Sequence, residues 1–283
     1  MKRRLLILHP DKTADSSLAA GLTQLGYSVT SMSEPDRAIA WTRQHQPPLV
    51  LVQPVASQIA NGLCETLKLD PATNLIPIWM VAGADQNRPS ISGLQISPNG
   101  WLSQPFTLDQ LRQVTEEAHA WRTQLQRQQI SSETCFQLPS AIPPLERLTL
   151  LLESLFVRVG FTFDQIKRLK IAVRELGINA IEWGHRKDVD KIITVILRIH
   201  EDRISLSIRD TGAGFDLNRI PHAAQPGDPV GHLDARESLG LREGGFGILL
   251  ARGLVDELHY NDRGNEASLV KYLHQRVPAS ETG

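Results

Sequence analysis

Short apolar runs alternate with amphipathic stretches through the first 127 residues. The runs that predict strands lie at 4–9, 27–31, 49–52, 76–81 and 100–103, and helical patterns lie at 16–25, 34–45, 58–68 and 107–127. Apolar runs without polar alternation are typical of strands that are buried on both faces. The order therefore predicts a doubly wound parallel sheet with helices on both sides, which is a flavodoxin-like α/β fold.

The second half of the chain has a different pattern. A strand is predicted at 134–138, a helix from Pro143 to Val159, a long helix at 164–184 with Asp164 as its N-cap, strands at 192–199 and 203–208, a helix at 246–258 and a last strand at 268–273. Helices packed against a mixed or antiparallel sheet make an α/β sandwich. Because 283 residues suggest two domains, we place their boundaries at 1–127 and 131–276. The Gln-rich segment at 122–129 is either a helical connector or a solvated helix end.

The long helix at 164–184 carries a polar stripe between two apolar flanks. At about 100° per residue, the stripe contains Arg168, Glu175, Asn179 and Glu182. Glu175 and Asn179 lie one turn apart on the same face. Read alone, this pair is also typical of ordinary solvated helix residues. A carboxylate and an amide at the edge of a core, however, cost free energy unless something pairs with them.

Two glycine motifs follow this helix. Asp210-Thr-Gly-Ala-Gly214 comes after a predicted strand, and Gly244-Gly-Phe-Gly247 opens a predicted helix. The ordered set Glu-x-x-x-Asn, Asp-x-Gly-x-Gly and Gly-Gly-x-Gly resembles the nucleotide site of the GHKL ATPase superfamily, which includes histidine kinases, gyrase-type enzymes and anti-sigma-factor serine kinases. The resemblance covers residues 131–276 and implies a Bergerat-type α/β sandwich that binds ATP with Mg²⁺.

The resemblance assigns the adenine end of the site to the second motif. Asp210 would accept a hydrogen bond from the adenine amino group, and a charged acceptor makes such a bond worth roughly 1.5 to 3 kcal/mol. Gly212 and Gly214 would allow a close approach that a Cβ would block. Taken singly, the glycines also fit simple turns, and Asp210 also fits a residue that caps a turn.

The phosphate end would combine the helix with the last glycine motif. Asn179 offers an amide oxygen, which is a hard ligand suited to Mg²⁺. Gly244, Gly245 and Gly247 would place N–H groups at a helix N-terminus, where the dipole favours phosphate. Glu175 would orient or deprotonate an attacking hydroxyl or water as the catalytic base.

Residues 216–243 form a long segment that is rich in proline and glycine. Loops of this length are usually functional or disordered, and the resemblance makes this one an ATP lid. His232, Arg236 and Arg242 are candidate phosphate contacts, although each also fits a solvated loop. The sequence has no Gly-x-x-x-x-Gly-Lys motif, which disfavours a P-loop enzyme.

The first half resembles a response-regulator receiver domain, and Trp101-Leu-Ser-Gln-Pro-Phe106 is similar to that family's final strand and its Lys-Pro dipeptide. The two acidic metal-binding positions of that family are His9 and Pro10 here, with only Asp11 nearby. The phospho-accepting aspartate is replaced by Gln53, the switch serine or threonine by Ala82, and the lysine by Gln104. Phosphoryl transfer onto a carboxylate needs the carboxylate itself. We therefore predict a pseudo-receiver that accepts no phosphate and serves in docking or dimerisation. A plain flavodoxin-like domain without signalling ancestry is the alternative.

Composition excludes several other classes of protein. With 30 basic and 31 acidic residues, the chain has no bulk attraction to nucleic acid or to a membrane surface. Cys64 and Cys135 are too few for a disulfide framework or a zinc site. The apolar run at 5–8 is too short for a signal peptide. We therefore expect a cytoplasmic protein.

The segment Asn179-Ala-Ile-Glu-Trp-Gly184 looks most like the anti-sigma-factor serine kinases. That resemblance implies an ATP-dependent serine/threonine kinase of the partner-switching kind, which acts on a small antagonist protein. A homodimer is compatible with this expectation. The alternative is a non-catalytic adaptor or scaffold that responds to nucleotide. The two hypotheses differ at Glu175, because only a kinase has phosphotransfer to lose. The sequence shows no helical hairpin with a phospho-accepting histidine ahead of the site, so a histidine kinase is disfavoured.

Overall fold

The computed structural model describes residues 4–9, 16–53, 57–83, 90–214 and 247–274. The chain divides into two compact units, of which the first comprises Met1–Ser90 and Gln95–Cys135 and the second Ile91–Leu94 and Phe136–Gly283. In the described part of the chain, none of the helices is both long enough and apolar enough to cross a membrane.

The first unit is built on a five-stranded sheet. Its elements are β1 (Arg4–Leu8), α1 (Ser16–Gln24), β2 (Ser28–Met32), α2 (Pro35–His45), β3 (Val50–Val52), α3 (Ser57–Leu69), β4 (Ile78–Ala82), β5 (Gln95–Ile96), β6 (Gly100–Ser103) and α4 (Leu108–Arg127). The sheet order is β2-β1-β3-β4-β6, and every pair in it is parallel. This is the flavodoxin-like order, so the predicted doubly wound fold is confirmed.

Burial on both faces of this sheet explains its apolar runs. Leu5 and Ile7 join a core with Leu18 and Leu22 of α1 and with the apolar side of α4. Successive side chains of a strand point to opposite faces, yet Leu6 is also fully buried. Both faces are therefore covered, which is why β1 shows no polar alternation.

The carboxyl ends of the parallel strands carry the positions at which a receiver domain holds its chemistry. Gln53 follows β3 directly and donates its backbone N–H to the carbonyl of Leu8 at 2.9 Å. His9 follows β1 and is buried, Ala82 ends β4, and Gln104 follows β6. A carboxamide cannot form the acyl phosphate that a carboxylate forms. These four described positions carry no acidic side chain. Pro10 and Asp11 lie outside the described residues.

The second unit combines helices with a largely antiparallel sheet. Its elements are β7 (Ser132–Pro139, which begins within the first unit), α5 (Ile142–Val159), α6 (Phe163–Asn179), a π-helical turn (Ala180–Gly184), β8 (Ile192–Ile199), β9 (Arg203–Arg209), α7 (Gly247–Leu254), β10 (Glu257–Tyr260) and β11 (Glu266–Tyr272). Its strands lie in the order β10-β11-β9-β8-β7, with antiparallel pairing of β10 to β11, β11 to β9 and β8 to β9. The predicted α/β sandwich is confirmed.

The strand alternation of the second unit sets which face meets the helices. On β8 the residues Ile193, Val195 and Leu197 are buried, whereas their neighbours along the strand are only partly buried. α5 and α6 pack against each other and contribute buried leucines to the same core. The period of two along the strand and that of 3.6 along the helices thus converge on one apolar layer.

Two local predictions in the second unit are wrong, namely the N-cap at 164 and the end of the last helix. The N-cap of α6 is Thr162 rather than Asp164, because Thr162 and Gln165 form a reciprocal capping box. The helix predicted at 164–184 does extend to Gly184, but its last turn, after Asn179, is π-helical. The helix predicted at 246–258 ends at Leu254, and residues Glu257–Tyr260 instead pair with β11.

Candidate functional site

Glu175 and Asn179 face the start of α7 from the last turns of α6. A Cβ placed on Gly247 would lie 2.9 Å from Oε2 of Glu175 and 3.7 Å from both side-chain heteroatoms of Asn179. The two side chains therefore lie against the backbone of Gly247, the first residue of α7. Oε1 of Glu175 is 3.7 Å from Nη1 of Arg174. A carboxylate, an amide and a helix N-terminus thus meet at one place, and their role as the phosphate end stays a prediction.

The π-helical turn brings Gly184 against the side chain of Asp210. The N–H groups of His185 and Lys187 donate to the carbonyls of Ala180 and Ile181 at 2.8 and 2.7 Å. A Cβ on Gly184 would lie 2.5 Å from Oδ2 of Asp210, so only glycine allows this approach. Short π-helical turns occur frequently at functional sites. Here the turn connects the helix of Glu175 and Asn179 to the strand end that carries Asp210.

Asp210 is a buried carboxylate immediately after β9. Its Oδ1 accepts the N–H of Gly212 at 2.7 Å. Burial raises the pKa of Asp210 above its ordinary value of 3.8, although the hydrogen bond from Gly212 acts in the opposite direction. Because a buried charge costs free energy until it is paired, Asp210 is prepared to accept a donor from a bound molecule.

Asn265 and Arg263 hold the backbone that follows Asp210. The Asp210 N–H donates to the carbonyl of Asn265, and Nδ2 of Asn265 donates to the carbonyl of Asp210, both at 3.0 Å. Nη2 of Arg263 donates to the carbonyl of Gly212 at 3.1 Å. Gly214 has φ +79°, and a Cβ there would overlap the carbonyl oxygen of Arg263. The loop that starts β11 therefore fixes the conformation of the Asp-x-Gly-x-Gly segment.

His185 also supports the Asp-x-Gly-x-Gly segment, through Thr211. Its side chain is fully buried, and Nε2 accepts the backbone N–H of Thr211 at 2.9 Å and lies 3.1 Å from the Thr211 hydroxyl. Because Nε2 is an acceptor, the proton of the neutral ring lies on Nδ1. Nδ1 has no hydrogen-bond partner among the described residues. Burial lowers the pKa of His185 below its ordinary value of 6.5, although the Asp210 carboxylate acts in the opposite direction.

The lowered pKa of His185 predicts that acid destabilises the protein. Below pH 6.5 His185 is protonated in the unfolded chain but stays neutral in the folded protein until its lowered pKa is reached. The free energy of unfolding therefore falls as the pH drops. The loss approaches about 1.4 kcal/mol per pH unit until the folded pKa is reached. Urea unfolding of the protein and of His185→Gln between pH 8 and pH 5 measures it, because glutamine can accept the Thr211 N–H without titrating. Equal pH dependence of the two proteins would contradict the assignment to His185.

Tyr260 joins the site beside Asn179. It ends β10, and burial raises its pKa to about 12, although the neighbouring Asn179 side chain acts in the opposite direction. Nδ2 of Asn179 has no hydrogen-bond partner among the described residues. Tyr260 thus connects the sheet edge to the phosphate end of the site.

The structure brings most of the predicted residues together. Glu175, Asn179 and Gly247 form one cluster, and Asp210, Gly212 and Gly214 form a second cluster that the π-helical turn connects to the first. Outside the described residues lie the predicted phosphate contacts Gly244, Gly245, His232, Arg236 and Arg242. The roles of all these residues in binding and catalysis stay predictions.

Sequence reasoning missed four residues of the site, namely His185, Tyr260, Arg263 and Asn265. His185 directly follows the glycine that ends the long helix, which is the one signal that could have singled it out. Tyr260 ends β10, and Arg263 and Asn265 lie in the turn before β11. The pairing of β10 with β11 and of β11 with β9 brings these three residues to the site.

The second unit matches a known family. Residues 138–271 match the family described as Histidine kinase-like ATPase domain. Among curated proteins, the chain is 31% identical over 122 residues to the serine-protein kinase RsbW of Bacillus cereus, covering 42% of this chain and 71% of the relative. It is 32% identical over 139 residues to the serine-protein kinase RsbW of Staphylococcus aureus, covering 48% of this chain and 84% of the relative.

Solved structures include receiver proteins with a similar chain trace. The chemotaxis response regulator CheY4 of Vibrio cholerae has 12% identity and a TM-score of 0.33, with 42% of this chain and 99% of that chain covered. The receiver domain of the sensor histidine kinase PA1611 from Pseudomonas aeruginosa has 14% identity and a TM-score of 0.36, with 44% and 99% covered. The fold of the first unit is assigned from its strand order alone, and these similarities are not used for it. Through its second unit, the chain belongs to the family of histidine kinase-like ATPase domains that includes the RsbW serine-protein kinases.

Proposed function

We propose that this protein is an ATP-dependent serine/threonine kinase of the partner-switching kind, which binds ATP in residues 131–276 and acts on a small protein antagonist. The observation that carries the proposal is the convergence of Glu175, Asn179 and Gly247 at one end of a site whose other end is the buried Asp210. Membership of a family that includes serine-protein kinases supports the same activity. In this proposal residues 1–127 form the separate pseudo-receiver domain.

The adenine base would lie at the Asp210 end of the site. The carboxylate is held by the Gly212 N–H and would accept the adenine amino group, which relieves the cost of its burial. Gly184 and Gly212 let the backbone pack directly around this carboxylate, where a Cβ would clash. A buried acceptor held in this way favours a base with an exocyclic donor.

The phosphates would lie between α6 and the N-terminus of α7. The N–H groups at the start of α7, which we extend to Gly244 and Gly245, would bind phosphate oxygens along the helix dipole. The Asn179 carboxamide fits a Mg²⁺ ligand because its oxygen is hard and its neighbour Glu175 adds negative charge. When bound, Mg²⁺ would neutralise charge that develops on the phosphates.

The transfer step assigns Glu175 the role of base. Its carboxylate would accept the proton of a serine or threonine hydroxyl of the partner as that oxygen forms a bond to the γ-phosphorus. The bond between the γ-phosphorus and the bridging oxygen breaks at the same centre, and ADP carries away the electron pair. The products are a phosphorylated partner, ADP and a protonated Glu175.

Calorimetric titration with ATP tests the nucleotide site directly. We expect ATP to bind the full chain in the presence of Mg²⁺ and to bind at least about tenfold more weakly when EDTA removes the metal, because Asn179 then has no cation to share with the phosphates.

Two further titrations complete the test. AMP, which lacks the β- and γ-phosphates, should show a much smaller response to EDTA than ATP does. No binding at millimolar ATP would overturn the proposal and leave a scaffold as the better description. Mg²⁺-dependent binding without transfer to any partner would instead support the nucleotide-responsive adaptor.

A further inference from the structure

The first unit contains a cavity of about 700 Å³ at the amino ends of its strands. Arg4 opens β1 and is the register partner of Ser28 on β2, so the two lie side by side at one mouth of the cavity. The positions of the lost receiver chemistry, such as Gln53, follow the carboxyl ends of the strands. The amino and carboxyl ends of parallel strands lie on opposite sides of the sheet. The cavity is therefore separate from the phospho-acceptor position.

One face of α4 forms a wall of the cavity. The helix contributes Thr115, His119, Arg122, Thr123 and Gln126. Their spacing of three and four residues places them in a single stripe along the helix. The proposed nucleotide site uses none of them. The Thr115 and Thr123 hydroxyls donate to carbonyls of the helix itself, so the polar groups of this wall come from His119, Arg122 and Gln126.

The cavity carries the positive charge of two arginines. Its lining includes the guanidinium groups of Arg4 and Arg122, and His45 and His119 also line it. No aspartate or glutamate is among the described residues that line it, although the whole chain carries 31 acidic residues. Nη1 of Arg122 donates to the carbonyl of Pro47 at 3.5 Å, which holds that guanidinium at the wall. A lining of this charge favours an anion.

The floor of the cavity is apolar. Leu5 and Leu49 are buried at its base, and Tyr27 and Pro48 are half-buried beside them. A volume of several hundred Å³ with an apolar floor and few convergent charges is typical of small-molecule sites. A bare inorganic ion would leave the half-buried Tyr27 and Pro48 in contact with water, whereas a larger molecule would cover them.

We infer that this cavity binds a small organic anion. Arg4 and Arg122 hold its phosphate or carboxylate group, since a guanidinium binds either group through paired N–H donors. An apolar or aromatic part of the molecule lies on Tyr27 and Pro48, the half-buried apolar residues of the lining. The pseudo-receiver would then receive its signal as a bound ligand rather than as a phosphoryl group on a carboxylate.

The test uses the full chain and phenyl phosphate, which combines a phosphate group with an aromatic ring. We expect calorimetry to detect binding, and Arg122→Gln to weaken it about tenfold through loss of charged hydrogen bonds. The double substitution Arg4→Gln with Arg122→Gln should abolish it. The control is Arg127→Gln, which removes an exposed arginine of α4 that does not line the cavity and should leave the affinity unchanged.

Hydrogen exchange locates the binding and separates this site from the nucleotide site. Phenyl phosphate should slow amide exchange in the peptides around 27–28 and 115–126, and Gly212→Ala in the second unit should not affect that protection. No binding at millimolar phenyl phosphate would overturn the inference, as would protection confined to the second unit. Equal affinity for inorganic phosphate would overturn the role of the apolar floor, because the ring is expected to add about tenfold.

Discussion

Replacing Glu175 by glutamine should reduce phosphotransfer to the protein partner by about 10² to 10⁴-fold while ATP still binds. Glutamine keeps the length and shape of the side chain next to Gly247, so the phosphate end should retain its form. It cannot accept a proton from a hydroxyl, however, and the general base is lost. The measurement is transfer of labelled phosphate from ATP to the partner recovered with the chain, with ATP affinity measured on the same preparation.

A matched substitution separates catalysis from a simple change in charge. Glu146 is an exposed glutamate of α5, and Glu146→Gln changes the net charge by the same amount without touching the site. We expect this control to transfer phosphate at the rate of the unmodified protein. Transfer that persists in Glu175→Gln would show that another group acts as the base, and an equal loss in both variants would point to a general electrostatic effect.

Gly212→Ala should destabilise the second unit and greatly weaken ATP binding. A Cβ at this position would overlap the carbonyl oxygen of Gly184 and lie 2.8 Å from Oδ1 of Asp210. Since a backbone carbonyl cannot rotate away as a side chain can, the segment after β9 must shift. The cost is about 3 kcal/mol of unfolding free energy. The shift also withdraws the Gly212 N–H from Asp210, so ATP should bind at least about tenfold more weakly.

The control for this variant is another glycine of the same unit. Gly253 lies in α7, and a Cβ there would meet no atom within 4 Å. Gly253→Ala should therefore be neutral or stabilise the helix by up to about 1 kcal/mol. Urea unfolding and ATP calorimetry on both variants give the comparison. If Gly212→Ala unfolded like Gly253→Ala and kept full ATP affinity, the contact between Gly184 and the Asp210 segment would have no role in the site.

Local periodicity was enough to predict the framework of both units. The uninterrupted apolar runs indicated strands covered on both faces, and burial of both Leu5 and Leu6 confirms this. The 3.6-residue period placed Glu175 and Asn179 on one face of a helix, and both lie against Gly247 in the structure. The observed N-cap, Thr162, could also have been predicted from the sequence, because Thr162-Phe-Asp-Gln165 is a capping-box sequence.

Features that depend on distant contacts could not be predicted in this way. The strand at Glu257–Tyr260 forms because it pairs with Ala267–Val270, and its own residues fit the end of a helix equally well. The π-helical turn at Ala180–Gly184 is only five residues long. Over so short a segment, its pattern of apolar and polar residues cannot be distinguished from that of an α-helix. The burial of His185 follows from that turn, so its support of Thr211 was hidden as well.

The glutamine at the end of β3 has a consequence for how long a signal can last. A receiver with an aspartate at that position stores its input as a covalent bond, which persists after the donor has gone and is erased only by hydrolysis. Gln53 offers no carboxylate for such a bond. A signal that reaches this unit by reversible binding would disappear as soon as the bound molecule dissociates. The protein would then report the present concentration of that molecule and keep no memory of the past.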